Sequence, residues 1–256
     1  MTGKPPAGEA GEIRRAVILA GGKGMRLQPF TIAFPKPLVP IGDAPIIDIV
    51  MRQLRAAGIG RVTLAVGHLA ELLMAYFSQR DYGDMEIDYS REEAPLGTAG
   101  PLSLLEDLDE PFLVLNGDLL TSLDFRDLVR CHARSGAEVT IAACRKTHQI
   151  DLGILDVDEE GKLLAYREKP SETYQVSMGI YVFEPRILSL LRKGEAIDLP
   201  QLIERALREG RRLNVYPFDG YWLDIGLPEE YARAVEEFES MKSVLLREKG
   251  GDGPSG

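Results

Sequence analysis

Three stretches of this chain, Ala16 to Leu19, Val62 to Val66 and Phe112 to Leu115, are almost continuously apolar for four or five residues and then stop. A strand with one wet face alternates polar and apolar residues. Short unbroken runs instead suit strands covered on both faces, as in a parallel sheet. Helical patterns lie between them. Pro45 opens one whose stripe is Ile46, Ile49, Val50 and Leu54 and which Gly58 ends; Leu69, Leu72, Leu73 and Tyr76 mark another. This alternation predicts an α/β fold, a single domain with a mostly parallel, mixed sheet flanked by helices. At 256 residues and 45% hydrophobic content, the chain is large enough to bury such a core in one domain.

Further elements follow the same logic. Strands are expected at Met85 to Tyr89, Glu138 to Ala143, Val176 to Phe183 and Arg212 to Pro217. Helices are expected at Ala99 to Leu105, after an Asp124 cap, at Ile187 to Leu191, at Leu199 to Leu207 and from Glu229 onward. Leu152 to Val157 and Leu163 to Arg167 flank Asp158-Glu159-Glu160-Gly161, an antiparallel hairpin turning near Glu159 that would set Gly153 opposite Tyr166. It would also bring Asp151 near Glu168 and Lys169. Residues 1–12 and 244–256 are rich in Gly and Pro and are expected to be disordered extensions of a domain spanning 13–243.

Ligands of an open parallel sheet gather at the carboxyl ends of its strands. The first strand empties there into Leu19-Ala20-Gly21-Gly22-Lys23-Gly24-Met25-Arg26-Leu27, a loop whose glycines let bare backbone amides approach a phosphate. Arg26 is a forked donor for phosphate oxygens, and Lys36, bracketed by Pro35 and Pro37, is a compact point charge. A dinucleotide fingerprint is not met, because Leu27 stands where its third glycine belongs, and no Gly-Lys-Ser/Thr completes a P-loop. At the same rim, Pro95-Leu96-Gly97-Thr98-Ala99-Gly100 could meet a base or phosphate through its amides and the Thr98 hydroxyl; it equally fits a helix N-cap at Thr98. Asn116-Gly117-Asp118 ends another strand. Asp224 follows the only tryptophan, in an apolar setting that would be costly unless something positive binds it.

These residues resemble a family, the sugar-1-phosphate nucleotidylyltransferases, whose opening signature LAGGxGxRLxPxT followed by PKPLxPI reads here as Leu19 to Thr31 and Pro35 to Ile41. The resemblance extends from about Arg15 to Glu237. It implies a Rossmann-like, glycosyltransferase-A-like domain that joins a nucleoside triphosphate to a sugar 1-phosphate. It further implies that Leu19, Ala20, Gly21, Gly22, Gly24, Met25, Arg26, Lys36, Gly97, Thr98, Asn116 and Gly117 hold the nucleotide. Asp118 and Asp224 would hold Mg²⁺, and Arg26, Lys36 and the two aspartates would carry the chemistry. Gly153, Glu168, Lys169 and Gly179 would bind the sugar phosphate. The wording of Leu96 to Gly100 is nearest to mannose-1-phosphate guanylyltransferase-like members, so GTP with mannose 1-phosphate or a related hexose or heptose 1-phosphate is the expected pair. dTTP, UTP or CTP are the alternatives within the class, and a regulatory protein that kept the fold but lost the chemistry is the alternative outside it. Met25 stands where relatives commonly have Thr, and Ser177-Met178 precede Gly179 where they often have Asn-Ala.

Composition excludes other classes. A net charge of −10 disfavours nucleic acid, which asks for a basic face. His68, His132 and His148 lie outside every motif, and no Ser or Cys nucleophile arrangement supports acyl transfer. Cys131 and Cys144 lack metal-ligand spacing and read as reduced thiols of a cytoplasmic protein, with no membrane or secretion segment. A homodimer is compatible with all of this.

Overall fold

The computed structural model describes residues 13–246; the expected N-terminal extension and the chain beyond 246 lie outside the described residues. The chain opens with β1 (Arg15–Ala20), a short α1 (Phe30–Ala33), and a two-residue ladder of β2 (Pro40–Ile41) on β3 (Ala44–Pro45). Then come α2 (Ile46–Ala56), β4 (Arg61–Val66), α3 (Ala70–Ser78) and β5 (Glu86–Arg91). The middle holds β6 (Phe112–Asn116), β7 (Leu119–Thr121), α4 (Phe125–Ser135) and β8 (Val139–Gln149). The last third is β9 (Ile154–Val157), β10 (Leu163–Arg167), β11 (Ser171–Phe183), α5 (Leu199–Arg208), β12 (Leu213–Phe218), β13 (Trp222–Asp224) and α6 (Pro228–Leu246).

Seven strands form the main sheet in the order β12-β8-β11-β6-β1-β4-β5. Only β11 runs against its neighbours, so the sheet is mixed and mostly parallel, as the unbroken apolar runs require. Alternate residues of β1 serve two cores. Ala16, Ile18 and Ala20 join Ile47, Met51 and Leu54 of α2 and Leu73 and Phe77 of α3 on one face. Val17 faces Ala99 and Leu102 and, from α5, Leu199, Leu202 and Ala206 on the other. A third core clamps α6 over β7 and β13 through Leu120, Leu223, Ile225, Phe238 and Leu245.

The structure departs from expectation at four places. The helix expected at Ala99 to Leu105 is a single 3₁₀ stretch, Gly100–Leu104, because the Gly-Pro start and the tie of the Ala99 and Gly100 amides to the Ile197 carbonyl leave no room for an α-helical ladder. The one expected at Ile187 to Leu191 is likewise 3₁₀, Pro185–Leu190. The domain does not end at 243: α6 runs to Leu246, since Leu245 is fully buried and its carbonyl accepts from Gln53 Nε2 at 2.7 Å. In the hairpin, Tyr166 pairs with Leu155 rather than Gly153, because the turn closes from Asp158 to Lys162 and a bulge between Leu163 and Ala165 shifts the register. The Tyr166 ring nevertheless packs on Gly153, where a Cβ would meet its Cε2 at 2.9 Å.

Candidate active site

A cleft of about 1260 Å³ opens at the carboxyl ends of β1, β4, β5 and β6. β1 and β6 are neighbours, while the chain leaves β1 toward β4 on the other side, so this is the point where the strand order reverses and two loops part to leave a crevice. The β1 loop and the β6 loop are stitched together by the Gly117 amide, which donates to the Leu19 carbonyl at 3.0 Å. Gly117 is buried there, and a Cβ would come within 3.1 Å of that carbonyl oxygen. Gly24 turns the loop at φ 60°, and Thr31 Oγ1 donates to its carbonyl at 2.7 Å. The turn then enters the 3₁₀ stretch Met25–Leu27, which leaves Arg26 exposed while Leu27 is buried.

Asp118 and Asp224, 106 positions apart in the chain, are brought together by the small β7–β13 ladder. Asp224 pairs with Leu119, the residue after Asp118, and the Ile225 amide donates to the Asp118 carbonyl at 3.0 Å. Asp118 has a lysine partner: the Lys36 ammonium bonds directly to Asp118 Oδ2, with the two side chains only 14% and 15% exposed. The short 3₁₀ stretch Lys36–Leu38, opened by Pro35 and continued by Pro37, holds that lysine in place. Burial, foremost, and then the Asp118 charge push the Asp224 carboxyl above its usual range; Glu230 adds to this, while Lys36 and Arg26 oppose it. Glu230 itself is occupied, accepting from the Gly226 and Leu227 amides at the start of α6.

All of Leu19, Ala20, Gly21, Gly22, Gly24, Met25, Arg26, Lys36, Gly97, Thr98, Asn116, Gly117, Asp118 and Asp224 line this cleft. Gly97 and Thr98 do so in an unexpected way. The Thr98 amide donates to Asp198 Oδ1 at 2.9 Å, and the Thr98 hydroxyl accepts from the Leu199 amide at 2.7 Å. Both polar groups of Thr98 are thus engaged with the start of α5, and Thr98 does not cap the following 3₁₀ stretch. Gly97, at φ 76°, presses against the same segment; a Cβ there would lie 2.7 Å from Asp198 Oδ1.

The second group, Gly153, Glu168, Lys169 and Gly179, is not on the cleft wall. Glu168 and Lys169 are exposed at the base of the hairpin, where Tyr166 donates its hydroxyl to Glu168 at 2.6 Å. The expected approach of the Asp151 end is present, the Ile150 amide bonding the Pro170 carbonyl at 3.0 Å. Lys169 is held at φ 43°. Gly179 borders the cleft indirectly: it sits at φ 71° in a break of the β11–β8 register, where a Cβ would lie 2.5 Å from Asn116 Nδ2. Trp222 Nε1 pins that break by donating to the Met178 carbonyl at 3.0 Å.

Among the cleft residues outside every motif, two touch the glycine loop. Glu92, just past β5, lays its carboxylate against Gly21 and Gly67, so close that a Cβ on Gly21 would lie 2.6 Å from Oε1, while Oε2 accepts from the Leu96 amide at 3.0 Å. His68, just past β4, donates its amide to the Gly21 carbonyl at 3.2 Å. Both stand one or two residues beyond a parallel strand, the one positional signal that marked them.

A family profile described as Nucleotidyl transferase matches residues 15–241. The mannose-1-phosphate guanylyltransferase catalytic subunit beta of Drosophila pseudoobscura pseudoobscura is 36% identical over 243 residues, which is 90% of this chain and 64% of that protein. A UTP–glucose-1-phosphate uridylyltransferase of Synechocystis sp. is 32% identical over 254 residues, 91% of this chain and 64% of that protein. The chain therefore spans just under two thirds of the length of these relatives. The crystal structure of HddC from Yersinia pseudotuberculosis matches with a TM-score of 0.68 at 25% identity, over 88% of this chain and 100% of that one. The chain belongs to the nucleotidyl transferase family, whose sugar-1-phosphate members its glycine loop and Pro-Lys-Pro element resemble.

Proposed function

We propose that this protein transfers a nucleoside monophosphate from a nucleoside triphosphate, GTP in preference, to a sugar 1-phosphate such as mannose 1-phosphate or a related hexose or heptose 1-phosphate. One observation carries the reading. The glycine loop, Arg26 and Lys36 converge on Asp118 and Asp224 in one crevice at the reversal of the strand order. A phosphate monoester is already largely dianionic at neutral pH, so the acceptor needs no general base. Its oxygen forms a bond to the α-phosphorus as the bond to the bridging β-phosphate oxygen breaks, and pyrophosphate leaves with that electron pair. The obstacle is bringing two polyanions together, which positioned cations relieve. Amides of Gly21 and Gly22 and the Arg26 guanidinium orient the triphosphate, and Lys36 lies beside the reacting centre. Glu168 and Lys169 grip the sugar hydroxyls and phosphate, with Gly153 and Gly179 shaping the same side.

Asp118 and Asp224 fit Mg²⁺: both are hard oxygen donors, and Asp224 carries an energetic penalty as an anion that a divalent cation would lift. Among the described residues no group of three or more acidic, His or Cys side chains offers an alternative. When bound there, Mg²⁺ supplies charge that neutralises the α-phosphate. The wording of Leu96 to Gly100 supports guanine as the base. The guanylyltransferase relatives support the same choice, and a neighbour crystallised with GMP-PN shares the fold. The uridylyltransferase relative keeps UTP as the second reading. A cytoplasmic location, supported by two free cysteines, and a homodimer complete the proposal; no helix among the described residues is long and apolar enough to cross a membrane. The test is pyrophosphate release from a grid of five nucleoside triphosphates against several sugar 1-phosphates. The expected maximum is GTP with a mannose-type acceptor, and a tenfold preference for another base overturns the guanylyl choice alone.

A further inference from the structure

The Lys36 ammonium sits on Asp118 Oδ2, beside Asp224, at the place where a cation joining the two carboxylates would have to bind. A point charge on a flexible stem can occupy such a place and also leave it. We propose that Lys36 is a built-in competitor of the metal for Asp118, so that a divalent ion enters this site only together with the nucleotide. The inference rests on the nucleotidyl transfer reading. The physical reason lies in charge balance. Asp118, Asp224 and Glu230 carry three negative charges, Glu230 being held by the Gly226 and Leu227 amides, and Lys36 with nearby Arg26 returns two positive ones. A free divalent ion would add two more at the same point, with the ammonium still held within reach by its proline-flanked 3₁₀ stretch. A triphosphate alters the balance. Its oxygens give Lys36 an alternative anion of higher charge, and once the ammonium turns to phosphate, Asp118 is free for the metal. Binding of metal and of nucleotide is then mutually reinforcing, by the same factor in both directions.

The experiment measures free Mn²⁺ by electron paramagnetic resonance during titration of the full chain, alone and with a non-reactive GTP analogue carrying a methylene between the α- and β-phosphates. For the wild type, Mn²⁺ affinity without nucleotide is expected to be weak and to tighten at least a hundredfold with the analogue. Lys36→Met should bind Mn²⁺ alone at least tenfold more tightly than the wild type and gain less from the analogue. Lys36→Gln serves if the methionine variant does not fold, and Asp118→Asn should abolish binding in either background. Equal affinities for free Mn²⁺ in the wild type and both Lys36 variants overturn the competitor role, as does tight binding to the wild type alone. A wild type that couples Mn²⁺ to the analogue yet releases no pyrophosphate from any substrate pair overturns the transfer reading and leaves the competition standing.

Discussion

The two aspartates of the cleft should respond in opposite ways to the same substitution. Asp118 has a cation on it, whereas Asp224 has burial and two like charges against it. Asp118→Asn keeps an oxygen for Lys36 but turns a charge-assisted bond, worth about 1.5–3 kcal/mol, into a neutral one of about half that. The net loss is about 1 kcal/mol, since the change also relieves Asp224. Asp224→Asn removes the group whose ionisation is disfavoured and should raise stability at neutral pH. In a domain of this size the Asp118→Asn loss is about 2–4 °C in Tm, while Asp224→Asn should move Tm upward. The sign also fixes the pH window. Because the Asp224 carboxyl titrates above its ordinary 3.8 in the folded state, the unfolded chain ionises first as pH rises. The native state is therefore at no disadvantage below that value and loses stability through the folded value; the gain from Asn should be full at pH 7 and shrink as pH is lowered toward 4. Differential scanning calorimetry in EDTA at pH 7 and pH 5 measures it. Turnover of both variants should collapse, as should that of the wild type in excess chelator. An Asp224→Asn protein that melts below the wild type at pH 7 without metal would falsify the opposition of charges described for the site.

Three further outcomes are expected. Lys169→Gly should be as stable as the wild type or up to about 1 kcal/mol more so, because Lys169 sits at φ 43° where a Cβ is strained. The same change should cut kcat/KM for the sugar phosphate by roughly ten- to hundredfold with nucleotide affinity unchanged; an equal loss of nucleotide binding in a titration without acceptor would move Lys169 to the other half of the site. Gly179→Ala, at φ 71° with Asn116 Nδ2 2.5 Å from the new Cβ, should cost about 1–3 kcal/mol in urea denaturation and raise the acceptor KM, and normal values for both would show that the β11 break has slack. His132 is buried against Thr140, and burial holds its imidazole below its ordinary 6.5 despite Glu184. Stability is then full above about pH 6.5 and falls as acid protonates the unfolded chain first. Between pH 7.5 and 5.5 the wild type should therefore lose more Tm than His132→Gln, and parallel curves would remove His132 as the cause.

Much of the sheet was legible because its signal is local. The runs at β1, β4 and β6 are buried on both faces and carry no polar alternation, so their character survives any reading frame. What escaped notice depended on partners distant in sequence. Gly100-Pro101 looks like a helix start, and only the Ile197 carbonyl, almost a hundred residues on, makes it a 3₁₀ stretch. The hairpin register turned on a single bulge. The end of α6 is likewise set from afar, since Leu245 means nothing until Gln53 is beside it. The site divides in the same way. The glycine loop, Arg26 and Lys36 could be named from residue type and setting, while the roles of Asp118 and Asp224 came from the family resemblance. Their mutual arrangement could not be read in this way, since Lys36 meets Asp118 across 82 positions, and that contact sets the sign of an Asp118 substitution.

That contact also bears on how an acidic protein would take up the polyanion that the proposed reaction requires. Lys23, Arg26, Lys36 and Arg91 line the cleft, and so do Glu92, Glu93, Asp118 and Asp224. Four positive side chains against four negative ones leave the crevice nearly neutral, and Arg91 is further engaged by Glu71 at 2.7 Å. A bare triphosphate entering such a site would bring several negative charges with little to offset them, at a range of a few ångströms where salt screens poorly. The glycine amides supply dipoles but no net charge. The missing positive charge has to arrive with the nucleotide, and the two aspartates are the groups positioned to receive it. On the proposed reading, their cost in the ligand-free chain, seen in the raised Asp224 carboxyl, would favour a metal–nucleotide complex over a bare nucleotide. Nucleotide affinity should accordingly depend on Mg²⁺ far more steeply in the wild type than in an Asp118→Asn/Asp224→Asn double variant. In that variant the neutral amides no longer repel the phosphates, and GTP in EDTA should bind more tightly than to the wild type. Isothermal titration with and without metal measures both affinities, and a double variant that binds metal-free GTP no better than the wild type would show that the aspartates do not set the charge balance of the cleft.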